Sequence, residues 1–250
     1  MSRVNGNAGS SRVVRPSINV TEKRFEHLLE RILLEAKALC NADGGTLYLY
    51  TADEHLQFVI MHNDSLHIAL GGARGEPITF APLPLYDPVT GAPNHHTVAV
   101  HAALTRKTIN IPDAYHAEGF DFSGTKAFDE KTGYRSQSFL TVPLQNENDG
   151  LLGVLQLINA RIPRTNNVIA FSVGLQKVVE SLSKLAALAL AAYIREQKLR
   201  AEIQELRVAV DQERKERQVA QITESEYFKK LQTQARELRA RVARSSEEQE

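Results

Sequence analysis

Residues 175–250 of this chain contain neither glycine nor proline, although fourteen glycines and nine prolines stand before them. Glycine costs a helix interior about 1 kcal/mol and proline about 3 kcal/mol. A long stretch free of both therefore predicts continuous helix. Val178, Leu182, Leu185, Ala189, Ala192, Leu199, Ile203, Leu206 and Val210 follow alternating steps of four and three, with Glu196 as the charged intruder. That is the apolar seam of a coiled coil. From Arg195 onward 25 of 56 residues are charged, as the solvated flanks of such a seam require. The seam fails at Glu213 and Arg217 and resumes in a shifted register at Phe228, Leu231, Ala235, Leu238 and Val242. Between the two registers, Thr223 and Glu226 have the spacing of a capping box. The expectation is a coiled-coil helix over 175–220, continuous with the last helix of the preceding domain. A second helix over 224–243 and a disordered tail at 244–250 follow. One helix with a register shift is the alternative.

The preceding part changes pattern. Phe25, Leu28, Leu29, Ile32, Leu33, Ala36, Leu39 and Cys40 recur at helical spacing. Asp43-Gly-Gly45 reads as a turn, and 46–51 and 56–61 read as a hairpin of strands. Residues 81–96, rich in proline and turn formers, read as a loop, and Thr97–Leu104 as a short helix. A short strand at 108–111 and two stronger ones at 137–143 and 151–159, joined by a turn at 146–150, complete an α+β plan with an antiparallel sheet. The domain is expected over 18–195, after a disordered leader at 1–17.

Thirty basic residues balance thirty acidic ones, so no general attraction to nucleic acid or to an anionic membrane is expected. No run has the length of a membrane span, and the first residues lack the apolar core of a signal peptide. The single cysteine, Cys40, excludes an intrachain disulfide and fits a reducing, cytoplasmic setting. Its place on an apolar helix face suits a buried, inert thiol rather than a redox switch or pigment attachment point. His95, His96, His101 and His116 cluster without the spacing of a zinc site. No nucleophile elbow, Walker loop or HExxH motif occurs, and Asp113, Asp129 and Glu130 lack a partner base. The expectation is no enzyme, no metal and no resident cofactor.

The segment 113–136 is the chemically suggestive one. Tyr115, Phe120, Phe122, Phe128 and Tyr134 are interleaved with Asp113, Asp121, Asp129, Thr132, Arg135 and Ser136. Aromatic faces stack a flat ligand while hydroxyls and carboxylates fix its edge, which would make the segment a lid. The same aromatics would equally serve to pin a loop to the sheet. Thr132 and Ser136 stand four apart and would share a face on a helix.

TINIPDAYHAEGF, FDEKTGYRSQSFLTVPL and GVLQLINA together resemble the GAF domain, a small-ligand sensor module, over about residues 22–195. The similarity is to GAF domains of bacterial HD-type phosphohydrolases and nucleotide cyclases and of cyclic-nucleotide phosphodiesterases. The resemblance implies a six-stranded antiparallel sheet with helices on one face and a pocket on the other. It implies ligand contacts from Thr46, His62, Asn63, Val98, Asp129, Thr132, Ser136 and Gln156, with Tyr115, Phe120, Phe128 and Tyr134 in the lid. Cyclic-nucleotide-binding members carry an Asn-Lys pair after the last strand and, further on, an Asp-Glu pair that bridges to the lysine. Here Asn159 and Phe171 stand, but Ala160 replaces the lysine and Leu175-Gln176 the acidic pair. The lid is also about four residues longer, at Ser123–Lys126.

The function expected is a non-catalytic small-ligand sensor, dimerising through its C-terminal helix and acting on a separate effector protein. A scaffold with a vestigial pocket, or a cyclic-nucleotide-binding regulator, is the alternative.

Overall fold

The computed structural model describes residues 20–73, 75–146 and 150–247. The expected leader at 1–17 lies outside them. The chain divides into two units, the first running to Tyr193 and the second starting at Ile194. The elements are α1 (Val20–Cys40), β1 (Ala42–Tyr50), β2 (His55–Asn63), β3 (Ile68–Gly71) and β4 (Leu83–Pro84). After them come α2 (Val98–Thr105), β5 (Ile109–Ile111), α3 (Ser123–Thr132), β6 (Phe139–Gln145), β7 (Leu151–Arg161) and β8 (Val168–Ile169). Two helices end the chain, α4 (Val173–Glu224) and α5 (Glu226–Glu247).

The α+β class holds. Six strands form one path, β3-β2-β1-β7-β6-β5, all antiparallel, and the two-residue strands β4 and β8 pair onto β2 and β7. The sheet thus has eight strands rather than six, because two short segments bond to the ends of β2 and β7 that β3 and β6 leave unpaired.

Strand alternation separates the two faces. Leu47, Leu155 and Leu157 join Leu29, Leu33, Ala36 and Cys40 of α1 and Val179, Ala186, Ala187 and Leu190 of α4 in the main core. Phe25 stacks on Tyr193 with ring centroids 4.4 Å apart. Burial raises the Cys40 thiol to about 11, consistent with the inert reading. The opposite face carries Tyr48, Val154 and Phe139, covered in part by α2 and by Phe122.

Two expectations are corrected here. Asp43-Gly-Gly45 is not a turn but the first part of β1, paired with both β2 and β7. Glycine at 45 lets α1 pass close: a Cβ there would stand 2.7 Å from Leu33 Cδ1, and the buried Leu33 side chain would have to shift. The segment 113–136 is not all loop, since α3 fills 123–132.

In the second unit α4 continues to Glu224 and α5 begins at Glu226. The expected gap at 221–223 is helical; the interruption falls at Ser225, which caps α5, its hydroxyl accepting from the Phe228 amide at 3.3 Å. Residues 244–247, expected in the tail, belong to α5, and 248–250 lie outside the described residues. Leu199, Ile203, Leu206 and Val210 are each more than half exposed along α4. Among the described residues no helix is long and apolar enough to cross a membrane.

Candidate ligand pocket

The sheet face away from α1 carries two rungs of aligned side chains. Met61, Thr46, Gln156 and Thr141 are paired in register across β2, β1, β7 and β6. Beside them run Asn63, Gly44, Ile158 and Phe139. Gly44 keeps the second rung low, since a Cβ there would stand 3.1 Å from the Asn63 amide nitrogen. A cavity of about 540 Å³ lies over these rungs. Its other walls are Phe58, Phe80 and Leu83, the start of α2 (Thr97, Val98, Ala99) and the first turn of α3 (Ser123, Gly124, Thr125) with Phe122 and Phe128. Tyr134 and Ser136 close one end.

The polar groups on this floor are held in place. The Gln156 amide accepts from the Tyr48 hydroxyl at 3.3 Å and donates to Thr141 Oγ1 at 3.0 Å. Asn63 Oδ1 accepts from the Leu66 amide at 2.9 Å. Thr97 Oγ1 is buried without a partner. Burial raises the Tyr48 phenol well above its ordinary range.

Of the twelve residues expected at the site, Thr46, Asn63, Val98, Phe128, Tyr134, Ser136 and Gln156 border the cavity. His62 borders it too, yet it pairs with Gly45, on the α1 side of the strand, and its Nε2 stands 4.0 Å from Glu30 of α1. Burial, and then the charge of Lys37, hold its imidazole below the usual histidine range.

The other four are not among the lining residues. Asp129 is buried beneath the lid, where its carboxylate accepts from the Ser136 amide (2.7 Å), the Ser136 hydroxyl (2.8 Å) and the Tyr115 hydroxyl (2.8 Å). That bond to Asp129 raises the Tyr115 phenol, and the Tyr115 ring lies 4.1 Å from the Arg135 guanidinium. Thr132 is exposed and returns its hydroxyl to the Phe128 carbonyl at 2.8 Å. The helix stops there, with Gly133 at φ 71°, so Thr132 and Ser136 do not share a helical face. Phe120 packs edge-on against His101, ring centroids 5.2 Å apart.

Residues that sequence reasoning passed over make up much of the wall. Tyr48, Met61 and Ile158 were recoverable by stepping two residues along the strands from Thr46, Asn63 and Gln156. Phe80 and Thr97 carry no such signal. The extra residues at Ser123–Lys126 form the first turn of α3, three of them facing the cavity.

Behind the lid, Tyr134 donates to the buried Asp43 carboxylate at 2.5 Å and accepts from Asn159 Nδ2 at 2.9 Å. Asn159, at φ 58°, also donates to the Arg135 carbonyl and accepts from the Gln137 and Ser138 amides. Arg161 pairs with Asp43 from the other side. Burial, and then the Asp43 carboxylate, push the Tyr134 phenol far up. Ala160 is fully buried in the main core, and Gln176 binds the Asn110 amide at 3.1 Å, so neither contributes to closing the lid.

Residues 24–190 match the family model of the GAF domain. The cGMP-specific 3',5'-cyclic phosphodiesterase of Drosophila pseudoobscura pseudoobscura is 27% identical over 156 residues, 60% of this chain and 12% of that protein. The dual 3',5'-cyclic-AMP and -GMP phosphodiesterase 11A of Takifugu rubripes is 42% identical over 53 residues, 21% of this chain and 5% of that protein. The matches thus span a small fraction of those enzymes. Among solved structures, the GAF domain from an Acinetobacter phosphoenolpyruvate-protein phosphotransferase superposes with a TM-score of 0.45 at 13% identity, over 73% of this chain and 99% of that one.

Proposed function

The chain belongs to the GAF domain family, and on that premise we propose that it is a non-catalytic small-ligand sensor, signalling to a separate effector through paired copies of its C-terminal helices. The observation that carries the reading is the cavity of about 540 Å³, a size suited to a small organic ligand, with a floor of fixed polar groups and a roof made by two helix starts. Thr46, Asn63, Gln156 and Ser136 are proposed as the polar contacts, with Val98, Phe128 and Tyr134 closing over the ligand. Asp129 is proposed to hold the lid rather than the ligand. A ligand changes the output only through unequal affinity for two arrangements of the chain, and the lid is the proposed element that differs. The exposed seam of Leu199, Ile203, Leu206 and Val210 supports a second copy of this chain as the helix partner. A cytoplasmic setting is proposed from the single, buried cysteine.

Similarity to a cGMP-specific phosphodiesterase favours a second reading, a regulator that binds a cyclic nucleotide. The loss of the lysine and acidic partners at Ala160 and Leu175-Gln176 favours a third, a scaffold whose pocket stays unused. Native mass spectrometry of the purified protein, with calorimetric titration of candidate ligands, separates the three. A retained or titrated small molecule supports the sensor, and a cyclic nucleotide held in preference to all others moves the assignment to the second reading. A pocket that takes up nothing leaves the scaffold.

A further inference from the structure

The pocket's charge is as informative as its shape. Five phenylalanines contribute to its walls, at 58, 80, 122, 128 and 139. Among the described residues that line it there is no lysine and no arginine, and Asp121 supplies a negative charge. The nearby cations are engaged elsewhere. Arg135 and Lys126 lie over the Tyr115 ring, Lys37 pairs with Asp64, and Arg161 pairs with Asp43. His62 faces Glu30.

A helix start normally attracts an anion. At α3 the chain supplies its own, because the Asp121 carboxylate accepts from the Ser123 amide at 2.8 Å. The start of α2 has no side-chain cap. Its amides offer donors to a carbonyl or ring nitrogen, and only the partial positive charge of a helix start to an anion.

The polar floor is neutral. The Gln156 amide has one N–H and one carbonyl lone pair left after bonding Thr141 and Tyr48. A fixed amide of that kind matches the donor-acceptor edge of a heterocycle. Thr97 Oγ1, buried and unpartnered at the start of α2, adds a hydroxyl to the wall.

Resting on the sensor reading above, we propose that the pocket selects an uncharged, flat heteroaromatic ligand, bound edge-on to Gln156 and stacked by the phenylalanines, and discriminates against anions. An anion placed here would lose its hydration and gain only the partial charge of the α2 start, with no cationic side chain beside it.

Three matched pairs test this by calorimetric titration: guanosine with cGMP, adenosine with cAMP, and riboflavin with FMN. Within each pair the members share their rings and differ in a phosphate. The expected result is that the neutral member of at least one pair binds about tenfold or more tightly than its anionic partner, with no pair reversed. An anionic member that binds as tightly as its neutral partner overturns the charge selectivity and leaves the sensor reading standing. If no member of any pair binds, this inference fails, and the sensor reading is decided separately by the small molecule that native mass spectrometry finds or does not find in the purified protein. Ile68→Lys, at a partly exposed edge-strand position on the cavity rim, adds the missing cation. It should raise the affinity for the anionic member relative to the neutral one several-fold while the melting temperature stays near that of the parent. An unchanged ratio in a folded variant overturns the charge argument by an independent route.

Discussion

Removing one oxygen atom tests the lid's attachment most directly. In Tyr134→Phe the ring and its packing remain, while the donor to Asp43 at 2.5 Å and the acceptor for Asn159 at 2.9 Å are lost. Asn159 Nδ2 keeps its bond to the Arg135 carbonyl, so its loss is small. Asp43 is buried and keeps Arg161 and the Ser65 amide, yet it loses one charge-assisted hydrogen bond. Such a bond contributes about 1.5–3 kcal/mol. For a domain of this size 1 kcal/mol moves the midpoint by about 2–4 °C, so Tyr134→Phe should melt roughly 3–12 °C below the parent. The assay is urea and thermal unfolding at one fixed protein concentration, extended to Asp43→Asn and the double variant. A coupling of about 1–2 kcal/mol is expected in that cycle; a value within about 0.5 kcal/mol of zero would refute the link. The pH dependence gives a second reading. The folded-state phenol titrates above its unfolded value of roughly 10, because of burial and then Asp43. The folded state therefore holds more protons once the unfolded phenol begins to ionise, and stability must fall as pH rises through that range. Below it the phenol adds no slope. The parent should lose more stability than Tyr134→Phe as pH is taken above 10.

Three further perturbations address other parts of the argument. Gly45→Ala should destabilise by about 1–3 kcal/mol through overpacking, because its Cβ would stand 2.7 Å from the fully buried Leu33; an unchanged unfolding midpoint would contradict the close passage of α1. Asp129→Asn offers an NH₂ group to a site where three donors converge, and should cost about 2–3 kcal/mol with faster hydrogen exchange across 123–138. Leu199→Asp with Ile203→Asp places two charges on the exposed seam, so light scattering should find a smaller mass for the variant than for the parent, whose dimer is proposed; equal masses would remove the seam as the dimer contact.

The sequence was most readable where one periodicity served one purpose. The helical face of α1 declares itself because it buries a single side, and the strands around Thr46 and Gln156 because they are short apolar runs buried on both faces. The purge of glycine and proline marks α4 for a similar reason, since a helix of that length tolerates neither. Reading failed where one residue type serves two physical ends. Gly44-Gly45 carries the signature of a turn, but both lie in a strand, where a Cβ at 45 would press on Leu33 of α1 and one at 44 would crowd the Asn63 side chain. The α3 segment hides its helix behind Gly124 and aromatics that look like loop pins. Asp129 and Thr132 share the ligand-contact pattern of Ser136, and only the end of α3 at Gly133 separates them, turning Thr132 outward and leaving Asp129 beneath the lid. Phe80 had no periodic neighbour to reveal it, since it reaches the pocket from a segment outside the regular elements.

The same logic bears on the lock that the resemblance led one to expect. A lysine at 160 would have to leave the core, because that position is fully buried against α1 and α4. The chain instead places its acid on β1, at Asp43, and its base at Arg161, one residue beyond the position the family uses. A one-residue step along a strand moves a side chain to the other face, so an Arg161–Asp43 pair cannot substitute for a bridge made from position 160 by simple sliding. The connection to the lid therefore requires an intermediary that reaches from the lid to β1. Tyr134 has that reach, and Asn159, held at positive φ, supplies the second hydrogen bond that fixes the phenol's orientation. On this argument the lid's attachment depends on a phenol and a carboxylate rather than on an ion pair between the end of β7 and the start of α4. Added salt should then weaken the Tyr134–Asp43 attachment little, because the Asp43 carboxylate is buried where mobile ions screen it poorly.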